Sequence, residues 1–144
     1  MNRFLKYAVL ATAMLAPGNA LAADKLPIAD THLHYSHDAW EVFPTEVAIG
    51  LLREAGLKRA FVSSSSDEGT QRLYTAAPDL VVPVLRPYRR RGELATWMFD
   101  NTRVQMLTEL LAANKYAGIG EFHAYGDDIE PDVLKGVIAP AKQY

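Results

Sequence analysis

The sequence predicts an α/β fold of about four βα units, on three observations. Four short β-like runs begin near Ile28, Lys58, Leu80 and Ala117, each is followed by a stretch with helical spacing of apolar residues, and the connections are too long for hairpins. Successive strands must then run parallel. The roughly 120 residues after position 22 amount to about half of an eight-unit barrel, which typically needs ~250. The expectation is therefore a partial (β/α)8-type TIM barrel forming one domain, residues 23–144.

Residues 1–22 are set apart from that fold. Arg3 and Lys6 precede an apolar stretch from Tyr7 to Ala16, Pro17 and Gly18 interrupt it, and Ala20-Leu21-Ala22 places small residues where a signal peptidase probes. The stretch is well short of the ~20 residues a bilayer span requires. A cleaved secretory signal is expected, giving a secreted or periplasmic protein with no stable membrane anchor. Cleavage after Ala22 would remove Arg3 and Lys6, leaving 13 basic residues against the same 17 acidic ones and a formal charge of −4.

The first run, Ile28 to Tyr35, leads into a loop, after which Pro44 opens a helix with Val47, Leu51 and Ala55 four residues apart and Gly56 as its stop. Arg59 to Ser63 is the second strand. Ser63 to Ser66 with Asp67 forms a polar loop or helix cap before a short helix ending near Pro78. Leu80 to Leu85 reads as a buried strand despite Pro83, which cannot donate to a central ladder. Glu93 to Asn114 reads as helix, broken near Asp100, with Val104, Leu107 and Leu111 on one stripe. Ala117 to Ala124 is the fourth strand. A last helix begins at Pro131, with Val133, Val137 and Ala141 sharing a face with Leu134 and Ile138, and Pro140 kinking or ending it.

Composition narrows the chemistry. Fifteen Lys and Arg are balanced by 17 Asp and Glu, and no basic run exceeds Arg89 to Arg91, so nucleic acid is not an expected partner. With no cysteine, oxygen and imidazole must carry any chemistry. There is no Gly-rich phosphate loop, nucleophile elbow or Ser-His-Asp arrangement.

Asp30, His32 and His34 alternate along the first strand, and a two-residue period puts them on one face, with Ala29, Thr31 and Leu33 on the packed one. Two imidazoles near the carboxyl end of a strand are suited to one divalent metal, or are simply two satisfied histidines. The same period joins Glu121 to His123 in the fourth strand. Buried there, they need either a cation or each other as an ion pair.

The run Ile28-Ala29-Asp30-Thr31-His32-Leu33-His34-Tyr35 resembles the first-strand signature of the amidohydrolase superfamily of metal-dependent hydrolases. Ser64-Ser65-Ser66-Asp67-Glu68-Gly69-Thr70, Leu85-Arg86-Pro87-Tyr88-Arg89 and Gly118-Ile119-Gly120-Glu121-Phe122-His123 are similar to successive blocks of a secreted or envelope subgroup, in order from Lys25 to Lys142. The resemblance implies a distorted barrel holding divalent metal, commonly zinc. It implies ligand roles for His32 and His34, a binding or bridging role for Glu121, and a ligand or supporting role for His123. Metal-activated water would then cleave an amide, ester or lactone bond of a small-molecule substrate.

Arg86 and Tyr88 follow the third strand, where barrel loops face the site, and are the candidate substrate-binding residues. Arg86 could clamp a substrate carboxylate or phosphate, or pair with a neighbouring acid. Ser63 to Ser66 could hold an anion at a helix start, or cap that helix. The family's further histidines from strands five and six, and its aspartate proton shuttle from strand eight, have no counterpart up to Tyr144. The sequence thus assigns no catalytic base, and the isolated chain is expected to be incomplete as a catalyst. Alternatives are a non-catalytic metal-binding half-barrel that self-associates as a homo-oligomer, or a truncated inactive fragment.

Overall fold

The computed structural model describes residues 26–129 and 132–142. Four parallel strands, β1 (Ile28–Leu33), β2 (Leu57–Val62), β3 (Val81–Leu85) and β4 (Gly118–Ile119), form one sheet in the order β1-β2-β3-β4. Between them run α1 (His37–Trp40), α2 (Thr45–Glu54), α3 (Asp67–Ala76) and α4 (Thr102–Ala113), and α5 (Asp132–Ile138) follows β4. The expected α/β class and parallel succession are therefore present. The signal-peptide segment and Pro131 lie outside the described residues. No helix among the described residues is long and apolar enough to cross a membrane.

Two apolar clusters hold the sheet to its helices. Ala60, Val62, Leu80 and Val81 pack with Ile49 of α2 and Leu73 of α3, and Leu85, Tyr88 and Trp97 pack with Leu107, Leu111, Val133, Leu134 and Val137. Register puts Ala60 and Val62 beside Val81 and Pro83, all buried, whereas Phe61, paired with Val82 on the opposite face, is 38% exposed. Pro83 donates nothing to the ladder, but its carbonyl still accepts the Ala117 N–H at 2.8 Å.

Several expectations need correction. On α2 the buried side is Ile49 with Ala48 and Leu52, whereas Val47 and Leu51 are each 48% exposed; apolar residues cover more than one side of this helix, so spacing alone did not select the packed one. The Glu93–Asn114 stretch does break at Asp100, but its first part holds only a 3-10 turn, Trp97–Phe99. The fourth strand is two residues long, not eight. Gly120 still donates to the Leu85 carbonyl, then adopts a φ of 156°, a geometry open to glycine, and leaves the ladder. On α5 Val133, Leu134 and Val137 are buried as expected, Ile138 and Ala141 are exposed, and Pro140 starts a 3-10 turn where the helix has ended.

β1 departs most from simple alternation. Asp30 pairs with Ala60 and Leu33 with Val62, so three residues of β1 span two of β2 and the strand carries an extra residue. The two-residue period is thereby interrupted between Asp30 and the histidines. Ala29 and Thr31 are exposed rather than packed, because β1 is an edge strand.

Candidate metal centre

The chemistry-bearing residues collect at the carboxyl ends of the parallel strands. His34 follows β1, Ser63 follows β2, Arg86 follows β3, and Glu121 and His123 lie just past β4. This is the end of a parallel sheet where loops diverge and leave room for ligands.

His32 Nε2 and His34 Nε2 are 3.1 Å apart, and they lie 3.3 and 3.2 Å from Glu121 Oε2. A zinc ion with bonds of ~2.0–2.2 Å in tetrahedral geometry separates its ligand atoms by ~3.3–3.5 Å. The three observed edges are close to that spacing. The residues therefore fit a divalent metal in size and in chemistry, offering two imidazole nitrogens and one carboxylate oxygen.

Second contacts prepare two of these groups. His34 Nδ1 lies against the Ser63 carbonyl oxygen, which can only accept, so Nδ1 carries the hydrogen and Nε2 of the neutral ring presents a lone pair. Asp30 Oδ1 accepts the His32 N–H at 2.9 Å, and orients the strand rather than joining the ligand group. Glu121 is held by Arg86, whose Nη2 donates to Oε2 at 3.0 Å. Arg86 is buried and thus pairs with an acid, the second of the two roles its sequence position allowed.

His123 lies on the other side of Glu121, with Nε2 at 3.5 Å from Oε1, outside the three-atom group. It arrives there from irregular chain, not by strand alternation. Tyr88 accepts the His123 N–H at 2.7 Å and meets Nδ1 at 2.9 Å, while Trp97 Nε1 donates to the His123 carbonyl at 2.8 Å. Tyr88 is buried beneath Arg86, whose guanidinium lies 4.6 Å from its ring centroid, and burial pushes the phenol's pKa up. A polar pocket of about 300 Å³ adjoins His34, lined by Ser36, Asp38, Ala39, Arg86 and Arg91.

The serine tract acts differently from a simple cap. Ser66 occupies the N-cap of α3 without a side-chain capping bond. Instead Ser64 Oγ accepts the Tyr35 N–H, the Ser64 N–H donates to Thr70 Oγ1, and the Ser65 N–H donates to Ser36 Oγ. These bonds tie the end of β1 to the start of α3. Arg89 and Arg91 are paired, with Asp100 at 2.6 Å and with Asp38, and Arg90 faces Glu93 at 3.6 Å.

Sequence reasoning missed two pairs that each hold a buried charged residue, Arg103 and Asp67. Arg103, itself buried, lies 3.0 Å from Glu93, and Tyr116 donates to Asp67 Oδ2 at 2.6 Å. An acidic residue at a helix start reads as a dipole partner, so nothing local marked Asp67 as buried. Burial raises its carboxyl pKa above 3.8, against the lowering effect of the Tyr116 bond. The folded chain thus holds this proton more tightly than the unfolded chain. Its contribution to stability is most favourable below 3.8 and declines as pH rises through the raised folded value. Asp67→Asn should flatten that part of the pH dependence and raise the denaturation midpoint at neutral pH, as urea unfolding across the acid range would show.

Comparison with protein-family models, curated proteins and solved structures found no match to this chain.

Proposed function

We propose that His32, His34 and Glu121 bind a divalent metal, zinc foremost, in a hydrolase of amidohydrolase type acting on a small molecule. The observation that carries this reading is the convergence of three ligand atoms at 3.1–3.3 Å from two separate strand ends, with the His34 lone pair already directed inward. Without a cation or a shared proton, that lone pair would face a carboxylate oxygen across 3.2 Å.

When bound, such a metal supplies Lewis-acid polarisation of a scissile carbonyl and activation of water near neutral pH. The chain's own residues do the rest. His34 is fixed by Ser63, Glu121 is oriented by Arg86, and the neighbouring pocket, with Arg86 and Arg91 in its wall, offers room for a substrate. An amide, ester or lactone is the proposed bond. No general base is assigned among the described residues.

The parallel order, with each strand joined to the next by helical connections, supports the finer reading of a partial (β/α)8 barrel. Titration of the metal-free chain with zinc by calorimetry should give one ion per chain, and His32→Ala should weaken it. Absence of saturable binding would sink the proposal.

One observation favours a second reading. β1 and β4 have no partner on their outer edges among the described residues, and Phe61 is exposed on the open face. A metal-binding half-barrel without turnover would cover these by self-association. Light scattering decides this point, since a stable monomer would exclude it.

A further inference from the structure

We infer that Tyr88 is a positioning residue for the Glu121 carboxylate, acting through the tautomer of His123. The effect on metal affinity rests on the metal-centre reading above. The effect on His123 does not.

Tyr88 Oη accepts the backbone N–H of His123 at 2.7 Å, and among the described residues its only other hydrogen-bond partner is His123 Nδ1 at 2.9 Å. Were Nδ1 protonated, two N–H groups would converge on one oxygen and the buried phenolic hydrogen would have no acceptor. An unsatisfied buried donor is costly, so Tyr88 donates to Nδ1. The neutral ring then carries its hydrogen on Nε2, the nitrogen that faces Glu121 Oε1 at 3.5 Å.

This divides the carboxylate. Oε1 faces the N–H of His123, and Oε2 faces the Nε2 atoms of His32 and His34 together with Arg86 Nη2. With the opposite tautomer, a lone pair would confront Oε1 and nothing would distinguish the two oxygens from that side. The anchorage matters because Glu121 and His123 lie beyond the end of β4, where no ladder fixes them. Trp97, donating to the His123 carbonyl, holds the backbone but leaves the imidazole untouched. Tyr88, a candidate substrate contact by sequence, therefore serves the site from beneath, and His123 serves it by turning its Nε2–H, rather than a lone pair, towards Oε1 across 3.5 Å.

The test uses the full chain, metal-free and 15N-labelled, at alkaline pH where imidazoles are neutral. Long-range 1H–15N spectra should show His123 in the Nε2–H tautomer, and Tyr88→Phe should shift it towards Nδ1–H. Zinc affinity of Tyr88→Phe should fall by about 10–100-fold, the usual consequence of disturbing a group that supports a ligand, and the visible spectrum of the Co(II) form should change. Trp97→Phe should lower stability while keeping the tautomer and the cobalt spectrum. Should Tyr88→Phe not fold, position 123 provides a second comparison. His123→Gln, which keeps an N–H near the place of Nε2, should retain zinc affinity, and His123→Leu should lose it. An Nδ1–H tautomer in the native chain, or equal zinc affinities for the Gln and Leu variants, would overturn the inference. Failure of the native chain to bind zinc would refute the metal centre and leave the tautomer to judge Tyr88.

Discussion

Zinc affinity is expected to fall by about 100-fold or more in His34→Ala, because a four-ligand site worth ~10–16 kcal/mol corresponds to roughly 3 kcal/mol per ligand. His34 should be the most sensitive of the three positions. Its ring is the one whose lone pair is fixed by a backbone acceptor, the Ser63 carbonyl, and its side chain is about half as exposed as that of His32, 31% against 59%. A ligand held in place loses less freedom on binding, so removing it should cost more than removing a mobile one. Competition with a chromophoric chelator would measure the loss, with thermal unfolding in chelator showing that the fold persists. Unchanged affinity in His34→Ala would refute the centre, whatever Glu121 did.

How far the sequence discloses this site depends on which groups build it. The His32/His34 pair is legible from its spacing in one strand, and its meeting with Glu121 because the carboxyl ends of parallel strands all lie at one end of the sheet, even for β1 and β4 at its two edges. The supporting contacts are less so. Ser63 acts through its carbonyl, a group every residue possesses, and Arg86 reveals whether it clamps a substrate or an acid only when Glu121 is seen 3.0 Å away. The bulge in β1 is invisible for a related reason. An extra residue changes the register between strands, and alternation within one strand does not record it. Turn-forming residues were better guides, as the end of α2 before Gly56 and the end of α5 before Pro140 show. Gly120 was the exception: its neighbours read as strand, and its own freedom ended the strand.

Gly69→Ala is expected to destabilise the protein by about 2 kcal/mol or more, the upper part of the range for overpacking. Helix propensity alone gives the opposite sign, since alanine in a helix is worth about 1 kcal/mol over glycine. Geometry decides between them. A Cβ at position 69 would stand 1.7 Å from the Tyr35 carbonyl oxygen and 3.2 Å from Ser64 Cβ. The obstacle is backbone, so no rotamer change can relieve it. That carbonyl also accepts the Trp40 Nε1 hydrogen, and the Tyr35 N–H is bound by Ser64, so the segment is fixed from both sides. Pushing α3 away would loosen the chain directly after His34, and zinc affinity should fall along with stability. Gly50, in α2, provides the control, because a Cβ there meets nothing within 4 Å. Gly50→Ala should therefore raise stability by up to about 1 kcal/mol. Opposite signs for the two substitutions in urea unfolding would establish that α3 rests directly on the end of β1. A gain in both would mean that it does not.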